Sequence, residues 1–218
     1  SLMSDHDVIT RGGDVLRVWR LDGVAFECAD DYLVTERHEA LCSLLRNLSG
    51  GQWAIWTHRL HRKIQDALSD PAEDGFAKDL SQAYQAHLNQ RAMMSNELYL
   101  TLVYRPTTSR ISRALQSPQR SKAAIAEAHA EALRVMEERT AFVHRVLRGF
   151  GPQLLGVREQ RGRLYSEVAE FLGYLVNGYW KPVPFTAGPL HRILPSTRLS
   201  FGGDKLELRN GDQRRCAA

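Results

Sequence analysis

The glycine spacing near residue 150 is the first pattern in this 218-residue chain that could carry chemistry. Gly151 and Gly156 are spaced as in the phosphate-binding loop G-x-x-x-x-G-K-[ST]. Val157 stands where that loop needs the lysine that reaches the phosphates, and Pro152 removes a backbone N–H that would cradle them. The segment therefore predicts the end of a helix followed by a strand.

Histidines and carboxylates give no complete metal or acid–base arrangement. His58 and His61 are three residues apart in a predicted strand, so they face opposite sides and cannot bind one metal together. His129 and Glu131 lie in a predicted helix without a histidine four residues away. The pattern G-x-S-x-G, which marks a nucleophilic serine, does not occur. We therefore expect no catalytic residue, no metal ligand and no cofactor-binding residue in these 218 residues.

The three cysteines, Cys28, Cys42 and Cys216, are odd in number and widely spaced. No C-x-x-C pair occurs, so cysteine alone excludes a zinc ribbon and favours a reducing compartment. Cys28 and Cys42 are expected to be small core or surface residues rather than nucleophiles, and the roles of all three stay open. No apolar run approaches the roughly 20 residues that a membrane helix requires.

Basic and aromatic segments are the remaining candidates, and they point to binding rather than catalysis. The net charge of +4 does not by itself require a nucleic-acid partner. Residues 58–63 and 105–122 are basic, and each is either a solvated face or a surface for anionic lipid or phosphate. Aromatic side chains in the loop 179–185 either pack on their own domain or anchor a partner. The predicted partner or membrane interface comprises Tyr179, Trp180, Phe185, Arg59, Arg62, Lys63, Arg110 and Arg113.

The elements that must position these residues alternate between strands and helices. Hydrophobic periodicity predicts strands at 14–22, 52–61, 97–105 and 153–160, helices at 30–48, 76–94, 122–148 and 164–176, and a hairpin at 198–209. The order is β-α-β, a helical insertion, β-α-β, and then a helix and the hairpin. We therefore predict an α+β fold: a ferredoxin-like β-α-β-β-α-β core with a helical insertion, plus a C-terminal helix and β-hairpin.

The same patterns predict one domain over residues 8–210. Residues 1–7 and 211–218 are expected to be flexible ends or residues added to the natural chain, since they show no packing pattern. The polar, basic segment 107–121 is expected to be mobile.

Five segments stand out by their order and spacing along the chain: Leu16–Gly23, Asn96–Pro106, Phe171–Gly178, Pro189–Gly202 and Lys205–Arg209. Taken together, they resemble the N-terminal region of the CagE/TrbE/VirB-type ATPase of type IV secretion and conjugation machines. The resemblance runs from about Val8 to Arg209. It rests on the order and spacing of the segments, since none of them is as specific as a Walker loop.

The resemblance implies a larger protein whose ATPase motor, with its ATP and Mg²⁺, lies outside these residues. This domain would then be non-catalytic and would lie at the cytoplasmic face of the bacterial inner membrane. It would dock to the membrane and to other secretion subunits, including a small inner-membrane subunit, and would help the motor oligomerise. The whole machine energises pilus biogenesis and substrate translocation.

Two other functions stay open on the residues alone. A ferredoxin-like nucleic-acid-binding module would need aromatic residues on one sheet face, but Tyr99 and Tyr104 are five apart and face opposite sides. The RNP pattern is also missing, so nucleic acid is disfavoured as a partner. A cryptic enzyme would show clustered ionisable groups with perturbed pKa values in a deep pocket.

Overall fold

An antiparallel sheet of five strands organises the fold. The computed structural model describes residues 2, 4–24, 27, 29–64, 75–90, 93–106, 122–186, 188–202, 206–210 and 213–217. The sheet comprises β1 (Val8–Ile9), β2 (Val15–Leu21), β3 (Trp53–Ile64), β4 (Met93–Tyr104) and β5 (Pro152–Leu154). β2 pairs with β4, and β4 with β3, while β1 and β5 both pair with β2. When β1 is left out, the strands lie in the spatial order β5-β2-β4-β3.

Helices and two smaller sheets complete the described structure. The helices are α1 (Asp31–Asn47), α2 (Gly75–Gln90), α3 (Lys122–Val146), α4 (Glu167–Asn177) and the one-turn α5 (Leu190–Ile193), and a 3₁₀ turn, Leu147–Phe150, follows α3. The remaining strands are β6 (Val157–Gln160), β7 (Arg163–Ser166), β8 (Arg198–Phe201), β9 (Leu206–Asn210) and β10 (Gln213–Ala217). β6 and β7 form a hairpin, and β8, β9 and β10 form a three-stranded antiparallel sheet. The predicted α+β class is confirmed.

Both faces of the large sheet are covered, which explains why β2 is apolar almost throughout. Alternate residues of a strand point to opposite faces. Val15 and Trp19 are buried in the cluster that includes residues of α1 and α3, whereas Leu16 and Val18 are buried in the cluster that includes residues of α4. A strand buried on both faces reads as a continuous hydrophobic run rather than an alternating one.

Helix α4 is fixed by its ends and by its apolar face. The Ser166 side chain caps it by accepting a hydrogen bond from the Ala169 N–H at 3.2 Å. Gly178 ends it in the left-handed conformation, with φ of 73°. Phe171 is fully buried and stacks on Tyr99 of β4, with ring centroids 4.5 Å apart. This stacking contact holds α4 against the sheet.

A buried ion pair lies on the face of the sheet that α1 and α3 cover, and it joins this face to a residue near the start of the chain. Arg17 donates to the two carboxylate oxygens of Asp7 at 2.6 and 2.9 Å, and its Nη1 donates to Thr140 at 2.9 Å and to Glu137 at 2.6 Å. Burial alone would lower the pKa of Arg17, but the bonds and charges of Asp7 and Glu137 outweigh it and raise this pKa. Asp7, within the segment expected to be a flexible end, is therefore an internal partner of β2 and α3.

Three predicted elements were wrong in their boundaries. The helix predicted at 76–94 ends at Gln90, and β4 begins at Met93. The strand predicted at 153–160 is two strands, because β5 pairs with β2 while β6 pairs with β7. The helix predicted at 164–176 begins only at Glu167, after strand β7. Arg161 and Gly162 both have positive φ, 54° and 70°, which is the geometry of a tight two-residue hairpin turn. That turn folds β7 back on β6.

The end of the chain also differs from expectation. Gln213–Ala217 forms β10 and pairs with β9, so part of 211–218 belongs to a sheet. The predicted hairpin at 198–209 is confirmed as β8 and β9. The segment 107–121, predicted to be mobile, lies outside the described residues.

Candidate interaction site

A cleft of about 230 Å³ opens between the α4 face of the sheet and the chain that follows α4. We call it the β4–α4 cleft. Its lining residues come from β2, β3, β4, the segment between β5 and β6, α4 and the loop beyond α4. They are Arg20, Arg62, Glu97, Tyr99, Leu155, Glu167, Glu170 and Trp180. Arg62 and Trp180, predicted from separate basic and aromatic segments, therefore meet at one cleft.

Aromatic rings form one side of the β4–α4 cleft. Trp180 stacks on Tyr174 of α4 with centroids 4.9 Å apart, and its ring lies 6.4 Å from that of Tyr99. Tyr99 itself is 5% exposed and is held by Phe171. Trp180 keeps 36% of its surface exposed, so a large ring on a fixed support faces solvent at the mouth of the cleft.

The charges on the β3–β4 side of the cleft are paired with one another. Arg62 Nε donates to Glu97 Oε1 at 3.0 Å, and the Tyr99 hydroxyl donates to the other Glu97 oxygen at 3.2 Å. The hydrogen bond to Glu97 raises the pKa of Arg62. Burial, reinforced by the Glu97 charge, raises the pKa of Tyr99 well above its ordinary value of 10.0. Tyr99 thus stays protonated and acts as a donor.

The carboxylates on the α4 side are also occupied. Glu170 accepts two bonds from Arg158, at 2.9 and 3.2 Å, and one from the Val183 N–H at 3.3 Å. Glu167 accepts from the Gly156 N–H at 2.9 Å. Each of the three carboxylates of the β4–α4 cleft therefore has a donor from this chain. These bonds hold the walls of the β4–α4 cleft and the loop beyond α4 in place. Because the carboxylates are already bonded, the cleft suits recognition of an incoming side chain more than proton transfer.

The predicted aromatic loop divides between packing and exposure. The Tyr179 hydroxyl shares a hydrogen bond with Ser196 Oγ at 2.6 Å, and Phe185 is half-buried against the core cluster on the α4 face. Val183 is 5% exposed. Tyr179 and Phe185 thus pack back on their own domain, which is one of the two alternatives that the sequence left open. Trp180 alone of the three predicted aromatic residues is exposed.

The two predicted basic residues whose side chains the structure describes, Arg59 and Arg62, lie on opposite faces of β3. Arg59 donates to Asn96 Oδ1 at 3.0 Å on the face of β3 opposite to Arg62. Lys63 lies in β3, and the structure describes its backbone but not its side chain. Arg110 and Arg113 lie outside the described residues. Because alternate residues of a strand face opposite sides, the run 58–63 divides its charge between the two faces.

The opposite orientation of the two histidines and of the two tyrosines is confirmed. His61 Nδ1 lies 2.8 Å from Asn96 Oδ1, whereas the His58 ring packs edge-on against Phe171, at a centroid distance of 5.4 Å. Tyr99 is covered by Phe171, and Tyr104 is in contact with Trp53, with centroids 4.7 Å apart. Neither tyrosine ring is open to stack on a nucleic-acid base.

The sequence reasoning missed Glu97 and Glu170. Glu97 on β4 lies diagonally across from Arg62 on β3, since the direct partner of Glu97 is Leu60. Opposite charges two residues apart across neighbouring strands are a readable signal once the register is known. Glu170 stands within the apolar helix EVAEFLGYLVN, and a carboxylate on an apolar face indicates a buried, paired charge.

Within the described ranges, no group of three or more His, Cys, Asp or Glu side chains is placed to hold a metal ion. Among the helices that the structure describes, none is long and apolar enough to cross a bilayer.

The architecture first defines a class: an α+β domain built on antiparallel sheets. Two family models then match the chain. "Type IV secretion system ATPase VirB4/TrbE, N-terminal domain" matches residues 6–111, and "CagE, TrbE, VirB family, component of type IV transporter system" matches residues 153–217. The chain belongs to this VirB4/TrbE family of type IV secretion proteins and corresponds to its N-terminal domain, which confirms the resemblance seen in the sequence.

Curated relatives agree with the family. The chain is 38% identical over 224 residues to the type IV secretion system protein PtlC homolog of Bordetella bronchiseptica, an alignment covering 100% of this chain and 27% of the relative. It is 33% identical over 218 residues to the type IV secretion system protein virB4 of Brucella abortus, covering 96% of this chain and 26% of that protein. The chain thus spans about a quarter of the length of these relatives.

Proposed function

We propose that this chain is the non-catalytic assembly domain of a type IV secretion ATPase. It docks the motor onto other secretion subunits, including a small inner-membrane subunit, at the cytoplasmic face of the bacterial inner membrane, and it helps the motor oligomerise. ATP and Mg²⁺ bind to the motor in the part of the protein beyond these residues. The family match and the share of its relatives that the chain spans support this division of labour.

The exposed ring of Trp180 is the observation that carries the docking role. It stands beside Arg62 in the β4–α4 cleft, on a support built from Tyr174 and Tyr99. Tryptophan and arginine are enriched among the few residues that supply most of the energy at protein interfaces. A ring already held in place loses little conformational freedom when a partner covers it.

We also propose that the core is ferredoxin-like. The spatial order β5-β2-β4-β3 supports this, since it corresponds to the order 4-1-3-2 of four antiparallel strands in a β-α-β-β-α-β unit. The positions of α1 and α3 support it as well, because both helices contribute to the same core cluster on one face of the sheet. In this proposal α2 is the insertion between the second and third core strands.

The docking role is tested by capture of the secretion subunits encoded with this protein. The domain and its Trp180→Ala variant are immobilised and exposed to detergent-solubilised membranes containing those subunits. Phe201→Ala is the matched control, because Phe201 is 82% exposed and lies on the three-stranded sheet. We expect Trp180→Ala to weaken capture by about tenfold or more, as for one aromatic anchor, and Phe201→Ala to have no effect.

Equal capture by wild type and Trp180→Ala would contradict the docking role of the cleft. ATP hydrolysis is assayed on the same preparations. Magnesium-dependent hydrolysis by the 218-residue chain would contradict the non-catalytic assignment, whereas the proposal expects none. Retention of the wild-type circular dichroism melt by Trp180→Ala is the check that a loss of capture reflects a lost contact and not unfolding.

A further inference from the structure

Among the described strands, none lies beside β3 on the side opposite to β4. The 12 residues of β3 pair with β4 along their whole length. The Arg105 N–H donates to the Gln52 carbonyl at 2.7 Å, so the pair Gln52–Arg105, which adjoins Trp53–Tyr104 in the ladder, is a hydrogen-bonded one. Hydrogen-bonded pairs alternate in an antiparallel ladder, and even-numbered residues of β3 therefore bond to β4.

The odd-numbered residues turn their backbone groups the other way. Ile55, Thr57, Arg59 and His61 direct their N–H and C=O groups away from β4, and these groups form what we call the β3 edge. Within the described residues, no backbone bond to these groups is made from that side. The β3 edge is thus a row of donors and acceptors spaced for another strand.

Few of the devices that normally protect a sheet edge are present here. The sequence WAIWTHRLHRKI contains neither glycine nor proline, and the pairing with β4 runs from Trp53–Tyr104 to Ile64–Met93 without a bulge. The first half, Trp53–Thr57, carries no charge, and Trp56 keeps 45% of its surface exposed. Charges protect only the second half, so the first half is open to strand addition.

The charges of the second half select the partner. Residues 58–63 comprise two histidines, two arginines, a lysine and a leucine, with no carboxylate. A strand added beside them is favoured if it carries acidic side chains at directly opposed positions, because opposite charges across a ladder attract and like charges repel. Beside Trp56, the same strand is favoured if it carries an apolar side chain.

We propose that the β3 edge binds an extended segment of a partner secretion subunit by strand addition, with carboxylates opposite Arg59 and His61 and an apolar residue opposite Trp56. This inference rests on the proposed docking function and names a second, separate contact for it. Backbone hydrogen bonds supply the affinity in this mode of binding, and alternate side chains supply the specificity.

The probe is a synthetic peptide, Glu-Thr-Glu-Thr-Glu-Thr-Thr-Val-Thr-Val, carrying a fluorescent label. In antiparallel pairing its glutamates stand opposite residues 63, 61 and 59, and its first valine stands opposite Trp56. Binding is measured by fluorescence anisotropy. We expect the wild-type domain to bind this peptide. A second peptide, with lysine in place of each glutamate, should bind at least about tenfold more weakly.

Two changes test the backbone part of the proposal. Thr57→Pro removes an N–H of the β3 edge while leaving the bonds to β4 intact, and Thr57→Ala is its matched control. We expect only Thr57→Pro to weaken binding, by about tenfold, the effect of one or two lost backbone hydrogen bonds. Proline can also disturb folding, so a second test leaves the domain unchanged. The peptide is N-methylated at the residues opposite the odd-numbered residues of β3, whose N–H groups face β3. We expect the wild-type domain not to bind this peptide.

Unchanged binding of the N-methylated peptide would overturn the proposal, and so would equal binding of the glutamate and lysine peptides. Dimerisation of the domain through β3, seen as a doubled mass that Thr57→Pro abolishes, would assign the edge to a second copy and also overturn it. None of these outcomes bears on capture through Trp180. Loss of the strand-addition site is therefore distinguishable from failure of the docking function.

Discussion

Two arginine–carboxylate pairs lie on opposite faces of the same sheet and differ in the water that reaches them. The side chains of Arg17 and Asp7 are 5% and 2% exposed, whereas those of Arg62 and Glu97 are 39% and 18% exposed. The first pair joins β2 to the start of the chain inside the protein. The second lines the β4–α4 cleft. The chemistry is the same, and burial decides that one pair has a structural role while the other remains within reach of a partner.

The largest loss of stability is expected when Asp7 is replaced. Asp7→Ala leaves the buried Arg17 guanidinium without its bidentate partner, so we expect the free energy of unfolding to fall by about 3–5 kcal/mol. Urea denaturation at neutral pH measures this. The double variant Asp7→Ala, Arg17→Met should recover much of the loss, because it removes the buried charge itself. A cost below about 1 kcal/mol for Asp7→Ala would show that the Arg17–Asp7 pair is no more structural than a surface pair.

An intermediate effect is expected at Tyr99, which is buried and lines the β4–α4 cleft. Folding raises the pKa of Tyr99 above its ordinary value of 10.0. Above pH 10 the folded protein therefore keeps a proton on Tyr99 that the unfolded chain releases. Stability from this source is complete below pH 10 and is lost as the pH rises above it, by up to about 1.4 kcal/mol per pH unit. Urea denaturation at pH 9 and pH 11 should show a smaller loss in Tyr99→Phe than in wild type. Equal losses would mean that burial does not perturb this hydroxyl.

The smallest effect is expected at the exposed pair. Glu97→Gln keeps the size of the side chain and removes its charge, so we expect stability to fall by less than about 1 kcal/mol, since water already screens Arg62. The difference from wild type should shrink in about 1 M salt, where charges are screened within about 3 Å. Thermal melts in low and high salt provide the measurement. A loss as large as that of Asp7→Ala would remove the distinction between the two pairs.

The sequence predicted the elements of the sheet better than their partners. Strands β2, β3 and β4 were found because each has an alternating or continuous apolar run bounded by turn residues. The turn at Arg161–Gly162 was not recognised as a hairpin, so β6 and β7 were assigned to a strand and a helix. Short strands contribute few apolar residues to a pattern, and their pairing is set by residues distant in sequence.

The candidate site was predicted only in part, and for a physical reason. Trp180 and Arg62 were selected by residue type, but their meeting at one cleft depends on Phe171 and Tyr99, which hold α4 against the sheet. Arg59 was selected by the same reasoning and lies on the other face of β3. A run of basic residues in a strand gives the total charge, whereas the strand period divides that charge between the faces.

The sequence by itself determined the family, the α+β class and the order of the main elements, because these follow from local patterns that persist in any register. The tertiary structure alone decided which charges are buried, which aromatic rings remain exposed and which strand has an edge that no other described strand covers. Asp7 shows the difference: nothing near it in the sequence marks it as internal. It becomes internal because Arg17, ten residues away, is buried by α3 and requires a countercharge.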